Sequence, residues 1–362
     1  MLNPRAAVAS VPAYHPPLAR RDGLRLDFNE NTIGCSPRVL ARLRSLTADD
    51  LSRYPEREPV ESLAADFLGV RPSELLLTNG VDEAIHLLCT TYLEPGSHAL
   101  IAVPTYSMYR IYMMAAGAEV ESIPGGANFE FPFDALRRSI TDRTRLIAIA
   151  NPNNPTGTLA PADQLLSLAR SAPHAAVLID EAYFEFCGET LLPTRSDLPN
   201  LFITRTFSKA YGLAGLRLGA VIGDSTQLQS IRRMSSPYNV NAVALASLPE
   251  ALADQIYIRN YVDEVLESRA RLESALAACG IQCWPSRANF VLFKIGHQAS
   301  AAREFSDRMR SRGVLVRDRS SDPGCTGCVR ITLGSHAHTN RLLEALDETL
   351  SAMRLTQGVR TR

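Results

Sequence analysis

Lys209 stands in the stretch "TRTFSKAYGLAGLRLGA", residues 204–220, among small, aromatic and glycine residues, with only Arg205 and Arg217 as charged neighbours. A lysine on a solvated helix face keeps company with Glu, Gln and further Lys, and this one does not. The stretch reads as a strand ending near Thr206, a turn, and a glycine-rich segment whose backbone can approach a ligand closely. An amine presented there can capture an aldehyde. The plain alternative is a lysine at a strand end whose head reaches back to water. The rest of the chain has to decide between them.

Other polar residues fall at equivalent places. After the strand in "ELLLTNG" come Asn79, Gly80 and Val81, and Asp82 opens a helix, so the free N–H groups and positive dipole end of that helix suit a phosphate. After "HALIAVP" comes Tyr106, a stacking face. The loop "NPNNPTG" offers the amide of Asn154, although it also reads as an ordinary proline-glycine turn. "AAVLID" runs apolar residues straight into Asp180, with Glu181 and Tyr183 behind it, and a carboxylate at a buried strand end needs a cation or several donors. Ser208, Lys209 and Arg217 follow the next strand. An amide nest, an aromatic face, an amide, a carboxylate and an ammonium describe one ligand: a phosphorylated, nitrogen-containing aromatic ring that bears an aldehyde. Pyridoxal 5′-phosphate is that ligand.

The elements that must position these residues alternate strand and helix from about residue 50 to residue 247. The strands are short and apolar throughout, as in a parallel sheet buried on both faces. That pattern predicts a doubly wound α/β domain, which binds ligands outside the carboxyl ends of its strands. Residues 29–49 and 248–362 mix long helices with "ANFVLFKI", "VLVRD" and "CVRITLG" and read as a smaller α+β domain. Residues 1–28 form a proline-rich arm.

Composition limits the partners. The 38 basic and 38 acidic residues cancel, which removes the electrostatic footprint of a nucleic-acid binder, and hydrophobic content of 46% suits an ordinary globular chain of 362 residues. No apolar run approaches a membrane span and no signal-like start is present, so a cytoplasmic protein without membrane or nucleic-acid partners is expected. Seven scattered cysteines point to reduced thiols. Cys325 and Cys328 have metal-like spacing, but no second pair matches them, and no metal is expected.

Six motifs taken together carry a resemblance: "FNEN" at residues 28–31, "RYPE" at 53–56, "NPNNPTG" at 151–157, "DEAYFEF" at 180–186, "TFSKAYGLAGLRLG" at 206–219 and "VRITLG" at 329–334. The chain resembles the aspartate-aminotransferase-like enzymes of fold type I, which use pyridoxal phosphate. Among these it is similar to the histidinol-phosphate aminotransferases of the class II family. The resemblance spans nearly the whole chain and implies a mostly parallel seven-stranded sheet in the large domain. It makes Lys209 the residue that carries the cofactor and moves the substrate proton. Asp180 becomes the partner of the pyridine nitrogen, and Asn154 and Tyr183 the partners of the ring oxygen. Tyr106 stacks on the ring, while Gly80, Val81, Asp82, Ser208 and Arg217 surround the phosphate. Tyr54 reaches the phosphate of a neighbouring subunit in a homodimer. Arg330, Arg317 and Arg341 recognise the substrate anion together with Asn154, and Tyr14 of the arm closes over it.

The implied reaction is transfer of the amino group of L-histidinol phosphate to 2-oxoglutarate, giving imidazole-acetol phosphate and L-glutamate, a step of histidine biosynthesis. The chain departs from the family pattern in "NENTIG" and in "GSHAHTN", where Ser335 and His336 replace the common Thr and Arg, and this bears on the substrate. An aromatic amino acid aminotransferase and a decarboxylase of a phosphorylated amino acid such as threonine phosphate remain alternatives. Arg341 also reads as an ordinary surface charge.

Overall fold

Seven short segments, nearly all apolar, make the central sheet: β1 (Leu75–Thr78), β2 (His98–Val103), β3 (Glu119–Pro124), β4 (Thr144–Ala150), β5 (Ala176–Asp180), β6 (Leu201–Thr206) and β7 (Gly219–Ile222). The computed structural model describes residues 2–13 and 22–360, with side chains described as far as Met353. The spatial order is β1-β7-β6-β5-β4-β2-β3. All neighbours run parallel except β7, which lies antiparallel between β1 and β6.

Successive side chains of a strand point to opposite faces. Leu77, Ile147, Ile149, Val177, Ile179 and Ile203 accordingly belong to one apolar cluster, and Leu76, Leu146, Ala148, Leu178, Phe202 and Val221 to another. Each cluster needs a cover. α1 (Gly80–Tyr92), α2 (Ser107–Ala116) and α4 (Ser225–Met234) cover the second face, and α3 (Ala162–Ser171), α5 (Ala242–Ala253) and α6 (Gln255–Ala278) contribute to the first. β3 is an edge strand with one buried residue in six, which keeps polar side chains on its open side.

The C-terminal part forms a three-stranded antiparallel sheet from β8 (Phe290–Lys294), β9 (Arg317–Asp318) and β10 (Cys328–Thr332), in the order β9-β10-β8. The helices α7 (Ala299–Ser311) and α8 (His336–Arg360) flank it. The stretch "VLVRD", expected as one strand, is split: Val314–Leu315 pairs in parallel with Leu24–Arg25, and β9 turns to β10. The split matters for function, because it aims Arg317 at the large sheet. No helix among the described residues is long and apolar enough to cross a membrane.

Candidate active site

The carboxyl ends of the parallel strands face the small sheet across an open cavity of about 450 Å³. Lys209 lies in the turn after β6, and its Nζ donates a hydrogen bond to the Phe28 carbonyl at 3.1 Å. Burial lowers the pKa of this amine to about 8, assisted by the positive fields of Arg330 and Arg217 and opposed by Glu30 and Asp82. A substantial neutral fraction near neutral pH is what a nucleophilic or proton-carrying amine requires.

Asp180 ends β5 with 5% of its surface exposed. Its Oδ2 accepts from the Tyr109 hydroxyl at 2.6 Å and its Oδ1 from Thr204, its direct partner on β6, at 2.9 Å. Burial raises the pKa of this carboxyl, and the two hydroxyl donors oppose the rise. The pleat explains why Glu181 and Arg205, the residues that follow Asp180 and Thr204, take no part. They form their own buried pair at 2.8 Å and line no part of the cavity.

The start of α1 forms the phosphate-like corner. Gly80 has φ +76°, and a Cβ there would lie 2.6 Å from an Arg217 guanidinium nitrogen, so only glycine lets the arginine lie against the helix start. Arg217 also donates to Asp82 at 3.0 Å, and the Tyr106 hydroxyl donates to the same carboxylate at 2.7 Å. The Ser208 amide donates to Thr206 Oγ1 at 3.1 Å, and Ser208 and Thr206 both line the cavity.

The opposite wall comes from the small sheet and the "FNEN" segment. Arg317 and Arg330 are direct cross-strand partners. Arg330, 5% exposed, donates to Asn154 Oδ1 at 2.5 Å and to the Asp27 carbonyl at 2.7 Å. Burial lowers its pKa to about 9, with Arg319 and Arg317 adding to the drop. Arg330 Nε and Arg317 Nη1 are buried without a protein partner, which marks the place of an anion. Asn29, held at φ +56°, donates from Nδ2 to the Tyr183 hydroxyl at 2.9 Å and accepts at Oδ1 from Thr332 at 3.1 Å. Five cations (Lys209, Arg217, Arg317, Arg319, Arg330) and four carboxylates (Asp27, Glu30, Asp82, Asp180) line the cavity. The arrangement can hold one anion at a helix start, a second at the arginine wall, and a carbonyl between them within reach of an amine.

The class I and II aminotransferase model matches residues 21–346. The chain belongs to that family. A histidinol-phosphate aminotransferase 2 of Pseudomonas fluorescens is 36% identical over 342 residues, covering 91% of this chain and 89% of the relative. A histidinol-phosphate aminotransferase of a Geobacillus species is 34% identical over 345 residues, covering 92% of each. The crystal structure of histidinol-phosphate aminotransferase from Sinorhizobium meliloti, in complex with pyridoxal 5′-phosphate, superposes with a TM-score of 0.88 at 26% identity, over 96% of this chain and 98% of that one. An aspartate aminotransferase from Thermus thermophilus, 23% identical with a TM-score of 0.80, shares the fold.

In this aminotransferase most of the residues singled out in the sequence meet in one cavity: Val81, Asp82, Tyr106, Asn154, Asp180, Tyr183, Ser208, Lys209, Arg217, Arg317 and Arg330. Arg341 does not. It is exposed on α8 and donates to the Gly313 carbonyl at 3.1 Å, because its helix packs on α6 and α7 and turns this side chain away from the cavity. Tyr54 is 78% exposed, stacked on Tyr238 with ring centres 4.2 Å apart, and lines no part of its own chain's cavity. Tyr14 lies outside the described residues. His336 turns to α6, with Nε2 2.8 Å from Glu267, and neither it nor Ser335 lines the cavity. Sequence reasoning missed Tyr109, Thr204, Asn29 and Arg319 as site residues. Asn29 was within a quoted motif, and Tyr109 lies one helical turn beyond Tyr106, but nothing in the spacing says that a tyrosine there meets Asp180.

Proposed function

We propose that this aminotransferase uses pyridoxal 5′-phosphate to move the amino group of L-histidinol phosphate to 2-oxoglutarate, giving imidazole-acetol phosphate and L-glutamate in histidine biosynthesis. The observation that carries the substrate is the pair Arg317 and Arg330, side by side with buried N–H groups left over, across the cavity from Lys209. Planar guanidinium forks suit phosphate and carboxylate oxygens alike, so the same wall takes the phosphate of one amino donor and the carboxylate of the other. The names of the curated relatives support the same substrate.

The residues present fit the cofactor, since the glycine-only contact at Gly80 leaves Arg217 and the N–H groups of Gly80, Val81 and Asp82 around one corner. When bound, pyridoxal phosphate supplies a carbonyl for the amino group and an electron sink for the substrate's α-carbon. Arg217, Ser208 and the start of α1 would hold its phosphate. Tyr106 would supply a stacking face for the ring, Asp180 would keep the ring nitrogen protonated, and Asn154 and Tyr183 would bind the ring oxygen. Lys209 Nζ would hold the cofactor and take the proton from the substrate α-carbon. Arg330 and Arg317 fix the anion, which orients that C–H bond toward the amine. The Phe28 carbonyl, already bonded to Nζ, holds the amine in place. In a homodimer, the exposed Tyr54 completes the phosphate corner of the partner's site.

The test is a single-turnover absorbance experiment on cofactor-loaded protein, with Lys209→Ala as the blank. Saturable conversion of the cofactor to its amine form by histidinol phosphate supports the reading. Conversion by phenylalanine alone moves the protein to the aromatic class, and release of carbon dioxide without need of an oxo acid makes it a decarboxylase. Loss of Lys209 should slow the donor half-reaction by about 10²–10⁴-fold.

A further inference from the structure

The antiparallel register of β9 and β10 has a consequence beyond Arg317 and Arg330. Arg319 continues the β9 line, its amide donating to the Cys328 carbonyl at 2.9 Å, so Arg317 and Arg319 are two residues apart and both line the cavity with Arg330. Three guanidinium groups crowded at one wall repel one another. Asp322 stands among them and pairs with Arg319. Burial pushes the Asp322 carboxyl pKa up, while the fields of Arg319, Arg330 and Arg317 oppose that rise.

The segment that carries Asp322 is well fastened. The Asp322 amide donates to the Arg319 carbonyl at 2.9 Å, the Cys325 amide to the Asp322 carbonyl at 3.0 Å, and the Cys328 amide to the Cys325 carbonyl at 2.8 Å. Cys325 and Cys328 are buried against Phe129, Trp284 and Leu292. Gly327, at φ +76°, allows the closing turn, since a Cβ there would collide with the Gly296 carbonyl. Arg319 Nε is buried without a partner, like Arg317 Nη1 and Arg330 Nε. The pairing with Asp322 thus leaves part of the Arg319 fork unused.

We propose that Arg319 is a specificity residue of this site, a third guanidinium that reads the second negative charge of a phosphate monoester, with Asp322 as its resident counter-ion. The assignment rests on the substrate reading above. A carboxylate presents one charge to the wall and a phosphate monoester close to two at neutral pH. Two arginines suffice for the first, and a third favours the second.

The experiment compares donor half-reactions of the cofactor-loaded enzyme with L-histidinol phosphate and L-glutamate by stopped-flow absorbance. Arg319→Gln should lower kcat/KM for histidinol phosphate relative to that for glutamate by about ten- to a hundredfold, the range for a lost charge-assisted hydrogen bond. Arg319→Lys, which keeps the charge that balances Asp322 but not the fork, should fall in between, and it is the variant to use if the glutamine form loses cofactor. An equal loss with both donors overturns the proposal, because Arg319 would then only support the wall. Inorganic phosphate as an inhibitor of the glutamate half-reaction separates this from the substrate reading. If the wild-type enzyme does not turn over histidinol phosphate, the substrate reading fails. A tenfold weaker phosphate inhibition in Arg319→Gln still upholds Arg319, and unchanged inhibition overturns it.

Discussion

At the scale of single residues, the site is a set of buried polar groups whose protonation is set by what surrounds them. Lys209 is the clearest case, with its amine pKa depressed to about 8 by burial. The rate at which cofactor-free protein captures pyridoxal phosphate should rise with pH and level off above about 8, where an ordinary lysine would still be climbing toward about 10.4. The linkage runs the same way: between these two values the unfolded chain binds the extra proton, so the contribution of this amine to folding stability improves as pH rises through that window. A capture rate that climbs without a break to pH 10 would contradict the depressed value. Asp180 gives a second test. Tyr109→Phe removes the 2.6 Å hydrogen bond that opposes the rise of the Asp180 pKa. The acid limb of the activity profile should therefore move to higher pH, and stability should fall by about 1 kcal/mol in a denaturant titration. Asp180 was legible in the sequence because it closes an apolar strand, and Lys209 because it stands among small, aromatic and glycine residues just after one. Tyr109, Asn29 and Arg319 were not, because their roles depend on which way a helix, a loop and the residue after a two-residue strand turn their side chains. Arg341, which the resemblance placed at the substrate anion and which also reads as a surface charge, lies on the exposed side of its helix and outside the cavity.

At the scale of elements, the parallel sheet gathers the chemistry by aligning five strand ends, and the strands that do this are the ones with unbroken apolar runs. Those were readable. β7 was not, since four residues flanked by glycine carry too little pattern, and β3 was not, since an edge strand alternates with exposed polar residues. β7 nonetheless matters for the phosphate corner: it begins two residues after Arg217 and packs against the start of α1, where a Cβ on Gly219 would lie 2.8 Å from the Val81 nitrogen. The helix start is the element that the cofactor phosphate tests. Gly80→Ala places a methyl group 2.6 Å from the Arg217 guanidinium and forces a left-handed alanine. It should cost about 1–2 kcal/mol of stability. It should also weaken binding of pyridoxal phosphate about tenfold while leaving the weaker binding of pyridoxal, which has no phosphate, nearly as it was. Equal losses for both ligands, measured by fluorescence titration of the cofactor-free protein, would mean that the helix start does not hold the phosphate.

At the scale of the whole molecule, one residue of the proposed site has no cavity to serve within its own chain. Tyr54 and Tyr238 are 78% and 52% exposed, yet they stack face to face, forming an aromatic surface that water solvates poorly. In the proposed homodimer a second copy of the chain would cover this surface and give the tyrosine a phosphate to reach, which would make the two sites interdependent. Mixed dimers test this directly. One subunit carries Lys209→Ala and keeps Tyr54; the other carries Tyr54→Ala and keeps Lys209. If Tyr54 acts across the interface, one site of the mixed dimer receives both lesions and the other receives neither. That second site should hold pyridoxal phosphate with wild-type affinity and give about half the wild-type activity per dimer. If Tyr54 acts within its own chain, every lysine-bearing site keeps the tyrosine lesion, and the affinity for pyridoxal phosphate stays that of the Tyr54→Ala homodimer. The affinity is the deciding readout, because activity alone would also recover partly if Tyr54 only steadied the interface. Tyr238→Ala supplies the contrast: it removes the stacking partner but leaves the hydroxyl of Tyr54, so it should weaken dimerisation more than it weakens cofactor binding in dimers that have formed.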